Sequence, residues 1–169
     1  MPDAPRTGQP GPLAPAPSTH GDDPLLEALV YVARALGRQV SREGLTAGLP
    51  LPQDRLVPSL VERAAERAGL ETRIVECPLE ALAPEALPAI VLLRDGGACV
   101  LLERREDSLR IVTGGDTRSE SLGALRERYL GSAILARARF GFDERAPALD
   151  PQTGRHWFWA ALAENLPLY

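Results

Sequence analysis

Lysine is absent from this 169-residue chain. All 19 basic residues are arginine, which, with the many alanines, reflects a GC-rich coding composition and carries no mechanistic weight. Cysteine and histidine are nearly as scarce. Cys77 and Cys99 cannot build a disulfide framework, and with His20 and His156 they make no zinc-type spacing. No metal is implied, and a reducing, cytoplasmic setting is the simplest reading. No apolar run approaches the ~20 residues that span a bilayer, and the N-terminus lacks the apolar core of a secretory signal. As given, the chain reads as soluble. A net charge of −4 and a pI near 5.3 argue against general affinity for nucleic acid or an anionic membrane surface. Phosphate-binding glycine loops and paired-carboxylate motifs are also missing.

What is present suits one globular unit, since 44% hydrophobic residues over this length supply a core but not two comfortable ones. Residues 1–22 carry Pro2, Pro5, Pro10, Pro12, Pro15 and Pro17 among glycine, serine and alanine. Such a composition cannot offset ordering entropy by burial, so a disordered tail is expected; a Pro-x-x-P ligand is the alternative use. The domain proper is expected over 23–140, and 141–169 as a linker and aromatic helix.

From position 23 the texture becomes helical. Asp23 can cap, Pro24 suits the first helical position, and Gly37 suits the left-handed stop. Leu25, Leu29, Val32 and Leu36 recur at helical spacing. Residues 41–47 suggest one brief helical turn, and Pro58 opens a second strong helix that Gly69 stops. Short β-like runs follow at 72–76, 89–93, 98–103, 108–112 and 133–138, with Asp95-Gly96-Gly97 and Arg105-Glu106-Asp107 as hairpin turns making the middle three an antiparallel meander. Ser121 can cap a further helix running to Tyr129. Helices first, then a sheet with one inserted helix, is an α+β layout of helices packed on an antiparallel sheet.

The run Asp23-Pro-Leu-Leu-Glu-Ala-Leu-Val-Tyr-Val-Ala-Arg-Ala-Leu-Gly37 resembles the nucleophile helix of the papain-like cysteine peptidases fused to bacteriocin-processing ABC exporters. The family pattern begins Asp-Cys-Gly, and Pro24 stands at the cysteine. The family's histidine strand, Gly-x-His-Phe-Val-Val-Leu, matches Gly96-Gly-Ala-Cys-Val-Leu-Leu102 with Ala98 at the histidine. Its orienting aspartate follows an Ile-Val pair, and Ile111-Val112 is followed here by Thr113. No equivalent of the oxyanion-hole glutamine precedes Pro24. The resemblance spans about 23–138 and implies a papain-like fold with vestigial positions Pro24, Ala98 and Thr113 and no catalytic residue. Proline cannot attack a carbonyl, so the family's covalent chemistry has no starting group. Strand alternation points Cys99 away from Ala98, so it is expected to pack rather than react.

Asp23-Pro-Leu-Leu-Glu, Leu45-Thr-Ala-Gly-Leu-Pro50 and His156-Trp-Phe-Trp are similar to the degenerate domains that open exporters of RTX proteins and large adhesins, the LapB-like group. That likeness implies a domain at the cytoplasmic face of the bacterial inner membrane, excised from an exporter whose transmembrane and ATPase domains lie elsewhere. ATP and Mg would belong to that ATPase domain, and no cofactor is expected in this chain. The implied function is to dock unfolded RTX or adhesin substrate through peptide pairing and tethering. Arg110, Arg118, Arg126, Arg128, Arg137 and Arg139 would offer positive charge to an acidic cargo, or else serve as scattered solvated side chains. Trp157, Phe158 and Trp159 suit either a membrane-interface helix or a terminal helix on the domain's own core. The competing functions are an assembly module that never binds cargo and an active cysteine peptidase, the latter without support from the residues.

Overall fold

The computed structural model describes residues 23–139. The proline-rich stretch 1–22, the segment 141–169 with Trp157, Phe158 and Trp159, and both histidines lie outside the described residues.

Helix α1, Pro24–Ala35, starts as its sequence dictates: the Asp23 side chain accepts the Leu26 N–H at 3.0 Å, with proline at the first position. It ends in a Schellman arrangement, in which Arg38 N–H donates to Ala33 O and Gly37 N–H to Arg34 O, both at 2.9 Å. Gly37 takes φ 78°, which a side chain would strain. Helices α2, Arg42–Thr46, and α3, Pro58–Arg67, follow, and α3 buries Val61, Ala64 and Ala65.

Six strands then form one antiparallel sheet: β1 Leu70–Glu76, β2 Ala89–Leu93, β3 Ala98–Arg105, β4 Ser108–Thr113, β5 Asp116–Ser121 and β6 Tyr129–Ala138, in the order β1-β6-β2-β3-β4-β5. Between the last two lies α4, Leu122–Arg128, capped by Ser121, which accepts the Ala124 N–H at 3.2 Å. The expected meander of β2, β3 and β4 is formed, with Val91 opposite Cys99 and Val100 opposite Val112.

Two apolar layers sandwich the sheet. On one face Ile90, Leu92, Ala98, Val100, Val112 and Ile134 meet α1, α2 and α3. On the other, Val91, Leu93, Cys99, Leu101, Ile111 and Leu135 meet Leu125 of α4 and the 77–86 connection. Burial on both faces explains why β2 is an unbroken apolar run, whereas strands with one wet face alternate.

Two expectations need correction. Strand β5 is additional to the runs expected from the sequence, because Asp-Thr-Arg-Ser-Glu-Ser carries no apolar alternation. As an edge strand beside β4 it needs none, and its Thr113–Asp116 hairpin is closed by Gly114 and Gly115 at φ 59° and 88°. Tyr129 opens β6 rather than closing α4, so the strand starts four residues before the expected 133. Its hydroxyl is drawn inward to donate to Cys77 O at 2.8 Å.

Candidate functional site

The site is built where the start of α1 meets the start of β3. Asp23 fixes the helix end, and its second carboxylate oxygen accepts the Leu56 N–H at 2.5 Å, joining the 52–57 segment to α1. Pro24 therefore stands on a braced helix terminus. It carries neither a thiol nor a main-chain N–H, so position 24 offers no nucleophile and no amide donor for an oxyanion.

Ala98, only 3% exposed, lies on the α1 face of the sheet. Pro24, Tyr31, Ala98, Val100, Val112 and Gly114 line one cavity of ≈ 210 Å³. Glu27 and Arg34 also border it, and Glu27 is engaged with Arg42 at 2.6 Å. A second cavity of ≈ 430 Å³ also borders Pro24 and is lined by Leu56, Val57, Leu93, Gly96, Gly97 and Leu130. The two cavities share Pro24 and together are the candidate groove beside the starts of α1 and β3.

Thr113 is the last residue of β4 and does not line either cavity, although both its neighbours, Val112 and Gly114, border the first. Strand alternation directs it opposite to Val112. Its Oγ1 is buried and without a hydrogen-bond partner. The structure thus brings Pro24 and Ala98 to one wall and leaves Thr113 behind it.

Cys99 is 1% exposed and belongs to the opposite layer from Ala98, as alternation requires. Burial pushes its thiol from 9.0 up to about 11, opposed only in part by the positive charge of Arg128. Cys77 is also buried and its thiol is raised by desolvation, with the Tyr129 hydrogen bond pulling the other way. Neither sulfur belongs to the groove. Among the described residues no group of three or more His, Cys, Asp or Glu could hold a metal ion, and no helix is long and apolar enough to cross a membrane.

The six arginines are spread over the sheet. Arg118 and Arg128 share Glu120, at 3.7 and 2.6 Å, and Arg126 reaches Glu80 at 3.4 Å. Arg110 pairs with Glu103 at 3.7 Å, and strand pairing sets it on the opposite face from Arg118. Arg137 and Arg139 meet Glu71 and Glu66, at 2.6 and 3.5 Å, with β2 and β3 standing between their strand and β4. Only Arg118 and Arg128, among the six, are joined at a common carboxylate.

The N-terminal peptidase C39 like domain of the toxin secretion ATP-binding protein from Vibrio parahaemolyticus matches this chain at 38% identity and a TM-score of 0.68. The match covers 70% of this chain and 98% of that one. The chain belongs to the peptidase C39-like domain family.

Other C39-like folds resemble it at lower identity. A double glycine motif protease from an AMS/PCAT transporter, solved in complex with the leader peptide, gives a TM-score of 0.60 at 15% identity, covering 72% of this chain and 88% of that one. The peptidase domain of Streptococcus ComA gives 0.60 at 19%, covering 69% and 91%. No family model and no curated protein matches the chain.

The sequence pattern singles out Pro24 and Ala98, which border the first cavity, but gives no sign of the second. Its outer wall is the 52–57 segment, where Gln53 and Asp54 sit in the left-handed region at φ 53° and 56°. The local pattern there, Pro52-Gln-Asp54 after a helix, reads as a turn alone. Tyr31 lies outside the apolar stripe read from the sequence, and it lines the first cavity.

Proposed function

We propose that this peptidase C39-like domain is a non-catalytic module of an ABC exporter of the type I secretion class, which docks unfolded RTX or adhesin substrate at the cytoplasmic face of the membrane. The observation that carries the reading is the pairing of Pro24 and Ala98 on one cavity wall while the nearby thiol, Cys99, is buried in the other face of the sheet. A nucleophile needs a base within hydrogen-bond reach, and neither proline nor alanine supplies either partner. A groove that accommodates an extended chain but lacks the groups that cut it retains the capacity to hold. Held beside a transport pathway, such a groove raises the local concentration of cargo even when each contact is weak.

Membership in the family and the toxin-secretion role of the Vibrio relative support the exporter assignment. The leader peptide bound to the AMS/PCAT protease supports a peptide as the occupant. Transmembrane and ATPase domains of the same exporter are the other expected partners. Vestigial status is assigned to Pro24, Ala98 and Thr113. Arg110, Arg118, Arg126, Arg128, Arg137 and Arg139 would favour an acidic cargo, but they lie on both faces of the sheet and each already pairs with a carboxylate, so the salt dependence of docking should be shallow.

The test is titration with an acidic, glycine-rich RTX-repeat polypeptide kept unfolded by removing calcium, at low and moderate salt. Saturable binding that survives moderate salt is expected. No binding in either condition contradicts docking.

A further inference from the structure

We propose that Asp23 is a positioning residue that sets the width of the ≈ 430 Å³ cavity by holding the 52–57 segment against the first turn of α1. Asp23 is the one buried charged side chain among the described residues, 3% exposed, and its counterparts are main-chain donors rather than a cation. Each oxygen has its own task. One accepts the Leu26 N–H at 3.0 Å and caps the helix; the other accepts the Leu56 N–H at 2.5 Å, from a segment 33 residues along the chain. A cap needs only the first bond. The second has no role in α1, and its effect falls on the loop.

That loop is held in an uncommon conformation. Gln53 and Asp54 are consecutive non-glycine residues with left-handed φ, a state that persists only where the surrounding structure fixes it. On the downstream side the fixing contacts are the Leu56 N–H to Asp23 and the buried Leu56 side chain, 4% exposed. Arg55 N–H closes the turn onto Pro52 O at 3.1 Å. Pro52, Gln53, Arg55, Leu56 and Val57 together make one wall of the cavity, facing Leu130, which is 55% exposed. Loss of the second carboxylate bond frees this wall to relax out of the left-handed turn, and the separation from Leu130 changes. The geometry of the groove is thereby tied to one side chain next to Pro24. The consequence for cargo rests on the docking function proposed above; the consequence for the loop does not.

Amide hydrogen exchange on the full chain separates the two roles of Asp23. Asp23→Ser keeps a hydroxyl that can cap Leu26 but is too short to span to Leu56. The Leu56 amide should then exchange at least about tenfold faster, the scale expected for losing a hydrogen bond to a charged group. Ile90 and Ile134 should stay protected, and affinity for the calcium-free RTX-repeat polypeptide should fall by about the same factor. Unchanged Leu56 protection overturns the proposal, and so does a parallel loss through Leu29 and Val32, which would make Asp23 a helix cap only. If wild-type protein binds no polypeptide, docking fails while the exchange result still decides the role of Asp23. Should Asp23→Ser not fold, Asp23→Asn provides the second variant: its single amide oxygen cannot serve both donors fully, and unaltered protection at both Leu26 and Leu56 overturns the proposal.

Discussion

The buried thiol next to Ala98 in the chain gives a sharp test of whether Cys99 could act as a nucleophile. Cys99 is 1% exposed and its pKa is raised from 9.0 to about 11. At pH 8 that leaves about 0.1% thiolate, against about 10% for the unshifted group, so native-state alkylation should run about 100-fold slower than for free cysteine even before access is considered. The same shift fixes a stability trend. Because the folded pKa lies above the unfolded one, the folded state retains its proton between pH 9 and 11; stability is complete below pH 9 and is lost as pH rises through that window. That rise corresponds to about 3 kcal/mol, most of which should be gone by pH 10.5. Urea unfolding of wild type and Cys99→Ala at pH 8 and 10.5 measures it. The readout is the change with pH, which removes the packing penalty of the substitution. Cys77 and Tyr129 are also raised and act in the same direction in both proteins, so the difference between the two slopes belongs to Cys99. Equal slopes, or alkylation of Cys99 at the rate of free cysteine in folded protein, would show that the thiol is neither buried nor shifted.

Other perturbations probe the groove and the core. Pro24→Cys places a thiol at the first position of a 12-residue helix, where the helix terminus lowers its pKa, and iodoacetamide at pH 7 should label it at least about tenfold faster than either native cysteine. Leu29→Ala removes a fully buried side chain from the layer between α1 and the sheet, and denaturant titration should show a loss of about 2–5 kcal/mol. Gly115→Ala meets no atom within 4 Å but forces φ 88° on a residue with a side chain; a loss of about 1–2 kcal/mol is expected in thermal unfolding, from backbone strain alone.

The elements that could be read from the sequence were those whose local signals agree with their packing. In α1, the cap, the proline and the apolar stripe all point to one helix, and the structure uses each of them. The opposite facing of Ala98 and Cys99 followed from strand alternation alone. Strand β5 was illegible because an edge strand with polar residues owes its place to the Gly114-Gly115 hairpin and to pairing with β4, neither of which shows as apolar periodicity. The groove was half legible. Family motifs located Pro24 and Ala98, but the wall formed by Leu56 depends on a hydrogen bond spanning 33 residues, and no local pattern reports a contact of that range. The arginines illustrate the same limit: sequence shows six like charges, whereas the fold distributes them over both faces and gives each a carboxylate.

Docking without cleavage is decided by incubating the purified domain with a Gly-Gly leader peptide and, in parallel, with calcium-free RTX-repeat polypeptide, following cleavage by mass spectrometry and association by calorimetry. A non-catalytic docking domain leaves the peptide intact after prolonged incubation and gives saturable heat of binding for the polypeptide. Hydrolysis at the leader's Gly-Gly bond, abolished by a thiol reagent, would contradict docking without cleavage.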